Sequence, residues 1–304
     1  MALSNNQATL IVVLGPTGVG KTETTLRIAE HLSTPVINAD SRQIFKGLPI
    51  GTAAPTPQQQ QRVKHLFVGT HNVWDYYSAS MFEQDVLSTL KVLFKQQTVA
   101  LLSGGSMMYI DAVCNGIDDL PTIDEQTRRL FKERLAQEGL DALAEELHKK
   151  DPAHWDIVDR KNPRRVIHAL EICHVTGKPY SFFRKNKRKE RPFRIIKIGL
   201  NRPREELHER INSRVNEMVR QGLVDEAMNM LPYRNENALN TVGYKEMFDY
   251  LDGLQTLDDT IYKIQSNTRR YARKQLTWFK RDPQIHWFSP LNIEEILNYI
   301  DGVL

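Results

Sequence analysis

Cysteine is nearly absent from this sequence, which has two in 304 residues. Cys114 and Cys173 lie far apart and lack metal-ligand spacing, so a disulfide scaffold is excluded and two reduced, buried thiols are expected. The chain also lacks any apolar run approaching the roughly 18 residues of a membrane span. The short apolar run at 10–14 leads into a glycine-rich loop rather than a signal cleavage site. We therefore expect a cytoplasmic protein without a membrane partner.

A large net charge is lacking as well, since 41 Lys and Arg against 37 Asp and Glu give a formal net charge of +4. The 40% hydrophobic and 26% charged composition excludes a disordered or collagen-like chain and allows more than one domain. The charge is unevenly distributed, because the segments 184–194 and 269–281 together sum to +12 and the rest to −8. Two such segments favour a polyanionic partner, nucleic acid above all, over a merely solvated surface.

Short β-branched runs alternate with longer helical patterns, which is typical of an α/β protein with a parallel sheet. The predicted strands are 9–14, 35–38, 98–102, 195–200 and 285–288. The predicted helices are 21–32, 79–96, 122–138, 140–149, 163–176, 204–221 and 257–280. The helices between 118 and 191 are uninterrupted by strands. We predict a parallel-sheet core from 1–117 and 192–304, with 118–191 as an inserted helical domain and a helical C-terminal region.

A glycine-rich motif directly follows the first predicted strand and precedes a helix. Residues 15–22, GPTGVGKT, match the G-x-x-x-x-G-K-[ST] pattern of a phosphate-binding P-loop in the context that this loop requires. Its backbone N–H groups can bind phosphate oxygens, Lys21 can neutralise the terminal phosphate, and the Thr22 hydroxyl can bind Mg²⁺. We predict a P-loop NTPase-like core with a phosphate or diphosphate bound by Gly15, Pro16, Thr17, Gly18, Val19, Gly20, Lys21 and Thr22.

The acidic residue that normally accompanies a P-loop is missing from its usual place. The strand predicted at 98–102 runs into SGGS at 103–106, with no Asp to help hold magnesium. A carboxylate follows the second strand instead, at Asp40, and the ends of neighbouring strands share the ligand crevice of an open α/β sheet. Asp40 is therefore a candidate general base or metal ligand. An ordinary turn or cap Asp is the alternative interpretation.

Two arginines on the predicted helix at 204–221 are candidate diphosphate ligands. Arg210 and Arg214 are four residues apart and so share one helix face, from which they can clamp a diphosphate. Taken singly, each is also typical of an exposed helix surface. The histidines His71, His154 and His174 have no metal-ligand spacing around them and are interpreted as core or surface residues.

Together these motifs closely resemble one family, the tRNA dimethylallyltransferases, also called tRNA isopentenyltransferases. The resemblance covers nearly the whole chain, and its most specific part is the D-S-x-Q-x-[YF]-K-G pattern at 40–47 joined to a P-loop. The matching motifs are GPTGVGKT (15–22), NADSRQIFKGLPIGTAAPT (38–56), SGGSMMYIDAV (103–113), NPRRVIHALE (162–171), LHERINSRVNEMVRQGLVDE (207–226), TVGYKE (241–246) and RRYARKQLTWFKR (269–281). The departures are Ser106 for a usual Thr, His168 for a basic Arg, and the inverted pair Arg273-Lys274.

The resemblance implies transfer of a dimethylallyl group from dimethylallyl diphosphate to N6 of the adenosine immediately 3′ of the anticodon in tRNA. The diphosphate then leaves whole, which accounts for the missing NTPase carboxylate. The implied catalytic residues are Asp40, Thr17, Lys21, Thr22 and Arg214. The implied Mg²⁺ ligands are Thr22 and Asp40, and the diphosphate ligands are the P-loop with Arg210 and Arg214.

The resemblance also implies a monomeric enzyme that binds the tRNA anticodon stem-loop. The adenosine must be flipped out of its stack to react, and we hypothesise that Ser41, Arg42 and Gln43 line its pocket while 184–194 and 269–281 hold the RNA from two sides. The implied tRNA-binding residues are Asp40, Ser41, Arg42, Gln43, Ser106, Arg164, Arg165, His168, Gly243, Tyr244, Lys245, Arg269, Arg273, Lys274 and Gln275.

Three other functions remain as alternatives at this point. A cytokinin-type adenylate isopentenyltransferase would share the P-loop chemistry but would not need the two basic segments or the insertion. A small-molecule kinase would need a carboxylate after the third strand. A nucleic-acid binder without enzymatic activity would leave the P-loop and Asp40 without a role.

Overall fold

The computed structural model describes residues 7–185 and 187–304. Residues 1–6 of the predicted core and Asn186 of the first basic segment lie outside the described residues. The chain forms two compact units, of which the first ends at Asn115 and resumes with Arg191–Leu304, and the second is Gly116–Glu190.

In its described residues, the first unit is built on one parallel sheet of six strands. The strands are β1 (Thr9–Leu14), β2 (Val36–Ala39), β3 (His65–Leu66), β4 (Val99–Gly104), β5 (Arg194–Leu200) and β6 (Ile285–Phe288). Their order across the sheet is β3-β2-β4-β1-β5-β6, and every neighbouring pair is parallel. The carboxyl ends of β1, β2, β4 and β5 therefore meet at one edge, where open α/β sheets bind their ligands.

Helices connect and cover these strands. In chain order they are α1 (Lys21–His31), α2 (Pro57–Arg62), α3 (Ala79–Leu93), α4 (Met107–Asn115), α5 (Glu125–Lys150), α6 (Pro152–Trp155), α7 (Pro163–Thr176), α8 (Tyr180–Phe183), α9 (Arg204–Arg220), α10 (Leu223–Met230), α11 (Tyr244–Leu251), α12 (Leu257–Phe279) and α13 (Ile293–Val303). Short 3₁₀ helices lie at Leu231–Tyr233 and Asn237–Leu239. None of the helices in the described ranges has the length and apolar character needed to cross a membrane.

Strand β1 shows why the sheet is central. Its residues are all buried, because side chains alternate between two hydrophobic layers on opposite faces. Leu10 and Val12 contribute to one layer, while Ile11 and Val13 contribute to the other. A continuous apolar strand is what a parallel sheet covered on both faces requires.

The second unit, which holds α5 to α8, is helical in its described residues. Its core packs Phe131, Leu143 and Leu147 of α5 against Val166 and other apolar residues of α7. Gly139 interrupts α5 with φ of 81°, at the point where the sequence predicts two separate helices. The buried Asp151 joins α6 to α8 by accepting hydrogen bonds from the backbone N–H and hydroxyl of Ser181, at 2.7 and 2.8 Å.

Candidate active site

The P-loop follows β1 at the carboxyl edge of the sheet and leads into α1. Gly15 has φ of 156°, and a side chain there would place Cβ 2.6 Å from the Leu200 carbonyl oxygen at the end of β5. Gly20 caps the N-terminus of α1 in the left-handed conformation, with φ of 110°. Both positions therefore require glycine, and the loop they allow turns its backbone toward the start of α1.

Lys21 lies within this loop rather than extending into solvent. Its Nζ donates to the carbonyl oxygens of Gly15 and Pro16, at 2.9 and 2.8 Å. Burial lowers the pKa of Lys21 to about 7, with help from the positive charge of Arg214, while Asp40 opposes the shift. Thr22, the next residue, is exposed in the first turn of α1. In the free protein, the charge of Lys21 therefore responds to pH near neutrality.

Helix α9 and the segment before it bring three arginines to the P-loop. Arg210 Nε donates to the Gly18 carbonyl oxygen at 3.0 Å, and Arg214 contacts the Thr17 hydroxyl at 3.5 Å. Burial lowers the pKa of Arg214, the Asp40 charge raises it and Arg210 lowers it further. Arg202, between β5 and α9, donates to the Val19 carbonyl oxygen at 2.7 Å and pairs with Glu206. Arg202 was not predicted from the sequence, although its place just after a core strand is an available signal.

Asp40 follows β2 and lies within electrostatic reach of both Lys21 and Arg214. One carboxylate oxygen, Oδ1, accepts hydrogen bonds from the backbone N–H groups of Arg42 and Gln43, at 2.9 and 3.3 Å. Asp40 therefore stabilises the turn that follows the strand, as the simpler interpretation expects. It also places a negative charge opposite the cations of the phosphate-binding loop.

The turn after Asp40 carries Ser41, Arg42 and Gln43, and each is fixed by a separate contact. The Ser106 hydroxyl accepts from the Ser41 N–H at 2.8 Å and donates to the Ser41 hydroxyl at 3.1 Å. Arg42 donates to the Asn237 carbonyl oxygen at 2.7 Å. Gln43 Nε2 donates to the carbonyl oxygens of Thr52 and Ala53, at 3.0 and 3.1 Å. Ser106, the residue that departs from the family pattern, still makes the hydroxyl contact that a threonine could make.

Gln275 on α12 is buried and faces the P-loop. Its Oε1 accepts from the Thr17 N–H at 2.9 Å, and its Nε2 donates to the Gly105 carbonyl oxygen at 2.8 Å. Its neighbours Arg273 and Lys274 are exposed on the same helix, and Arg269 donates to Asn212 of α9. Helix α12 thus combines a buried contact to the phosphate loop with an exposed basic surface.

Glu226 on α10 supports the loop behind Gln43. Its carboxylate accepts from the N–H groups of Ile50 and Gly51, at 2.8 and 2.7 Å, and from the Tyr244 hydroxyl at 2.6 Å. Tyr244 is fully buried, so its side chain packs inside the core rather than facing a partner. Gly243 is buried at the start of α11, and Lys245 is exposed. Glu226 was not predicted from the sequence, because its partners lie far away along the chain.

In the second unit, Arg164 and Arg165 are exposed in the first turn of α7. His168 lies 3.6 Å from Glu171 on the same helix.

The basic segment 184–194 is less available to a polyanionic partner than its composition indicates. Arg191 is buried against Glu83 at 2.7 Å and donates to two carbonyl oxygens at the end of α4. Arg194 donates to the Val303 carbonyl oxygen.

The residues at the carboxyl edge fit a magnesium ion that completes its coordination with substrate oxygens. The residues that the structure describes include no cluster of three or more His, Cys, Asp or Glu that could hold a metal. Mg²⁺ usually binds one or two protein oxygens together with phosphate oxygens and water. An exposed Thr22 hydroxyl and the Asp40 carboxylate are donors of this hard, oxygen-only kind.

The sheet order and the P-loop at the carboxyl edge define a P-loop NTPase-like α/β protein that carries an additional helical unit. The fold predicted from the sequence is confirmed by solved structures. Full-length tRNA isopentenylpyrophosphate transferase from Bacillus halodurans matches with a TM-score of 0.71 at 35% identity, over 97% of this chain and 96% of that one. A eukaryotic dimethylallyltransferase acting on tRNA matches with a TM-score of 0.79 over 94% and 75%. At 23% identity, the latter supports the fold alone.

Sequence comparisons then give the particular family. The chain is 59% identical to tRNA dimethylallyltransferase 1 of Phocaeicola vulgatus and 58% identical to that of Bacteroides fragilis, in each case over 97% of this chain and 98% of the relative. The family model described as IPP transferase matches residues 43–282. The chain therefore belongs to the IPP transferase family of tRNA dimethylallyltransferases, as its motifs predict. The P-loop and Asp40 precede the range of the family model but lie within the full-length relatives' coverage.

Proposed function

We propose that this chain transfers a dimethylallyl group from dimethylallyl diphosphate to N6 of the adenosine immediately 3′ of the anticodon in tRNA, and releases diphosphate. The observation that carries the proposal is the position of Asp40, a carboxylate that directly follows β2 at the same end of the sheet as the P-loop contacted by Lys21 and Arg214. This arrangement offers a proton acceptor beside an anion site, as a displacement of diphosphate by an amine requires.

The phosphate side of the crevice stabilises the leaving group. The N–H groups of the P-loop, Lys21 and Arg214 bind the diphosphate, with Arg210 at its outer side and Thr17 positioned by Arg214. Negative charge on the diphosphate increases as the bond between carbon and oxygen breaks. Cations fixed before the reaction stabilise that charge without reorganisation.

Magnesium is the cofactor that fits this site, with Thr22 and Asp40 as its protein ligands. When bound, it would supply additional positive charge to the diphosphate oxygens. Lys21, Arg210 and Arg214 contribute their charges directly, so the same anion is bound by side chains that the structure already brings together.

The acceptor side of the crevice removes one proton. The N6 lone pair forms a bond to the allylic carbon, the bond from that carbon to oxygen breaks, and its electron pair leaves with the diphosphate. The N6 proton passes to Asp40, whose orientation is fixed by the Arg42 and Gln43 N–H groups. Water is not needed as a nucleophile, which explains a P-loop without the usual NTPase carboxylate.

The RNA side of the proposal depends on exposed basic residues and on a flipped base. A stacked adenosine cannot enter the crevice, so the loop must present it unpaired. Arg273 and Lys274 of α12 would bind the phosphate backbone, and the turn at Ser41, Arg42 and Gln43 would contact the base. In the helical unit, Arg164, Arg165 and His168 would contact the stem. We further propose that the enzyme acts as a monomer in the cytoplasm.

Incubation with labelled dimethylallyl diphosphate and magnesium tests the function against its alternatives. Unmodified tRNA and AMP are offered separately, and ATP labelled in its terminal phosphate is offered with each. Prenyl label in tRNA alone supports the proposal. Label in AMP would favour an adenylate isopentenyltransferase, and transfer of phosphate from ATP would favour a kinase.

A further inference from the structure

Two aromatic side chains contact each other on the surface of the sheet unit. The rings of Trp74 and Tyr233 lie 5.1 Å apart between centroids, at an interplanar angle of 37°. Trp74 is 55% exposed and Tyr233 is 36% exposed. Large aromatic side chains contribute most when they are buried, so an exposed pair indicates a surface that a ligand covers. The proposed transfer reaction does not account for this pair.

Trp74 belongs to a segment that is hydrogen-bonded to the turn after Asp40. The Gly69 N–H donates to the Gln43 carbonyl oxygen at 2.9 Å, and the Lys46 N–H donates to the His71 carbonyl oxygen at 2.7 Å. Trp74 lies three residues beyond His71, so their Cα atoms are within about 11 Å of each other even in a fully extended chain. The segment that leads to the tryptophan therefore lies beside residues 43–46.

The segment that carries Tyr233 is far away along the chain but is hydrogen-bonded to the same turn. Tyr233 ends the 3₁₀ helix Leu231–Tyr233, and Asn237, four residues later, accepts a hydrogen bond from Arg42 at 2.7 Å. The segments that carry the two rings are thus each bonded to the turn that holds Ser41, Arg42 and Gln43. Lys46, at the end of that turn, is exposed and adds a positive charge.

We propose that Trp74 and Tyr233 form a stacking platform for an unpaired base of the RNA loop that neighbours the flipped adenosine. This inference rests on the proposed function. A base offers a flat π-face to an aromatic ring whatever its identity, so the platform would add affinity and position without reading sequence. Lys46 would bind the phosphate that follows. An RNA occupant is favoured over a protein because the platform is continuous with the proposed base-binding turn.

Alanine substitution of each ring tests the platform. Trp74→Ala and Tyr233→Ala should raise the KM for tRNA by roughly 5- to 150-fold, the range that loss of one base stack produces. The KM for dimethylallyl diphosphate should change by less than about twofold. Trp74→Phe should recover most of the affinity, because the ring remains. Tyr262→Ala, at an aromatic residue that is 66% exposed elsewhere on the same unit, is the matched control and should leave both constants unchanged.

Binding of an isolated anticodon stem-loop gives a readout independent of turnover. The stem-loop should quench tryptophan fluorescence in the wild-type protein, and Trp74→Phe should remove most of that quenching while retaining binding. Unchanged KM values for tRNA in both alanine variants, with thermal unfolding also unchanged, would overturn the platform. A wild-type protein that prenylates no tRNA would refute the proposed function instead, so the two failures are distinguishable. If the two alanine variants lost binding to a protein partner while tRNA turnover stayed intact, the surface would be assigned to that partner, and the inference would likewise be overturned.

Discussion

The amide oxygen of Gln275 accepts a hydrogen bond from the Thr17 N–H across 2.9 Å, which joins a C-terminal helix to the phosphate-binding loop. The same side chain donates to Gly105 at the end of β4, so one amide connects two walls of the crevice. Arg273 and Lys274 precede it on the exposed surface of α12. The helix proposed to bind RNA is therefore also the helix that positions the phosphate loop.

Replacing Gln275 should affect diphosphate more than RNA. Gln275→Ala leaves the part-buried Thr17 N–H and the buried Gly105 carbonyl without this partner, and an unsatisfied buried group costs about 1–3 kcal/mol. We expect a weaker affinity for dimethylallyl diphosphate, by roughly tenfold, measured by calorimetry. Lys274→Ala is the control, and it should weaken tRNA binding alone with a smaller salt dependence. Equal effects of the two variants on diphosphate affinity would contradict the positioning role.

A single substitution can separate the role of Asp40 in its turn from its proposed chemistry as proton acceptor and magnesium ligand. Asp40→Asn retains an oxygen for the Arg42 and Gln43 N–H groups but removes the proton acceptor. We expect single-turnover prenylation to fall by roughly 10²- to 10⁴-fold, the usual contribution of a general base. The assay is run below pH 7, where Lys21 retains its proton. A wild-type prenylation rate in Asp40→Asn would refute the role as base. If Asp40→Ala were slow and Asp40→Asn were fast, stabilisation of the turn would be the one role left for Asp40.

The affinity for diphosphate should fall as pH rises through about 7, the value to which burial lowers the pKa of Lys21. The anion binds the protonated form of Lys21, so the pKa of Lys21 is higher in the complex than in the free protein. Above pH 7 binding must then take up a proton, and the affinity falls by as much as about tenfold per pH unit. Calorimetry without magnesium between about pH 7 and 9 measures the slope. Lys21→Met should bind more weakly and with a flatter profile, and an equally steep profile in that variant would assign the titration to another group.

Glu226 should act on the RNA side through the loop behind Gln43. Glu226→Gln turns an amide NH₂ group toward one of the two backbone N–H donors, at Ile50 or at Gly51, and the unsatisfied groups should cost about 1–3 kcal/mol of stability. We expect a raised KM for tRNA with little change in the KM for dimethylallyl diphosphate. Tyr244→Phe removes only one of the three contacts and should raise the KM for tRNA by a smaller factor. An unchanged KM for tRNA in Glu226→Gln would show that this loop does not position the base pocket.

Arg191 should matter for stability rather than for RNA affinity. Arg191→Leu leaves Glu83 buried without this partner, and breaking such a pair costs about 3–5 kcal/mol. Urea unfolding measures the loss. The double variant Glu83→Leu with Arg191→Leu should recover part of it, since no isolated charge remains. The exposed pair of Arg129 and Glu125 is the control, because Arg129→Ala should change stability by less than about 1 kcal/mol.

Local elements were largely predictable because their signals lie within a few residues. The strand predicted at 9–14 and the helix at 163–176 agree with the structure at both ends, and the break between 138 and 140 corresponds to the non-helical Gly139. The helix predicted at 79–96 is too long, since α3 ends at Leu93. Strand β3 was missed, because two residues are too few to show a periodic pattern.

The candidate site was predictable only where residues follow a strand or match a motif. Asp40 comes directly after β2, and Lys21 belongs to the motif that follows β1. Parallel pairing of Ala39 with Gly104 and of Leu14 with Gly104 brings the ends of these two strands together. The partners of Glu226 and Arg191 are distant in sequence, so only the folded chain reveals them. Composition is misleading at Arg191, because this residue adds to the charge of a basic segment but is buried in an ion pair.

The most direct test of the central claim follows both products of a single turnover. Dimethylallyl diphosphate is labelled in the prenyl group and carries heavy oxygen between carbon and phosphorus, and the modified tRNA is digested to nucleosides. We predict prenyl label on N6 of the adenosine next to the anticodon, with the heavy oxygen in one intact diphosphate per modified adenosine. Heavy oxygen retained in a prenyl alcohol, release of orthophosphate, or label on another nucleotide would contradict the account.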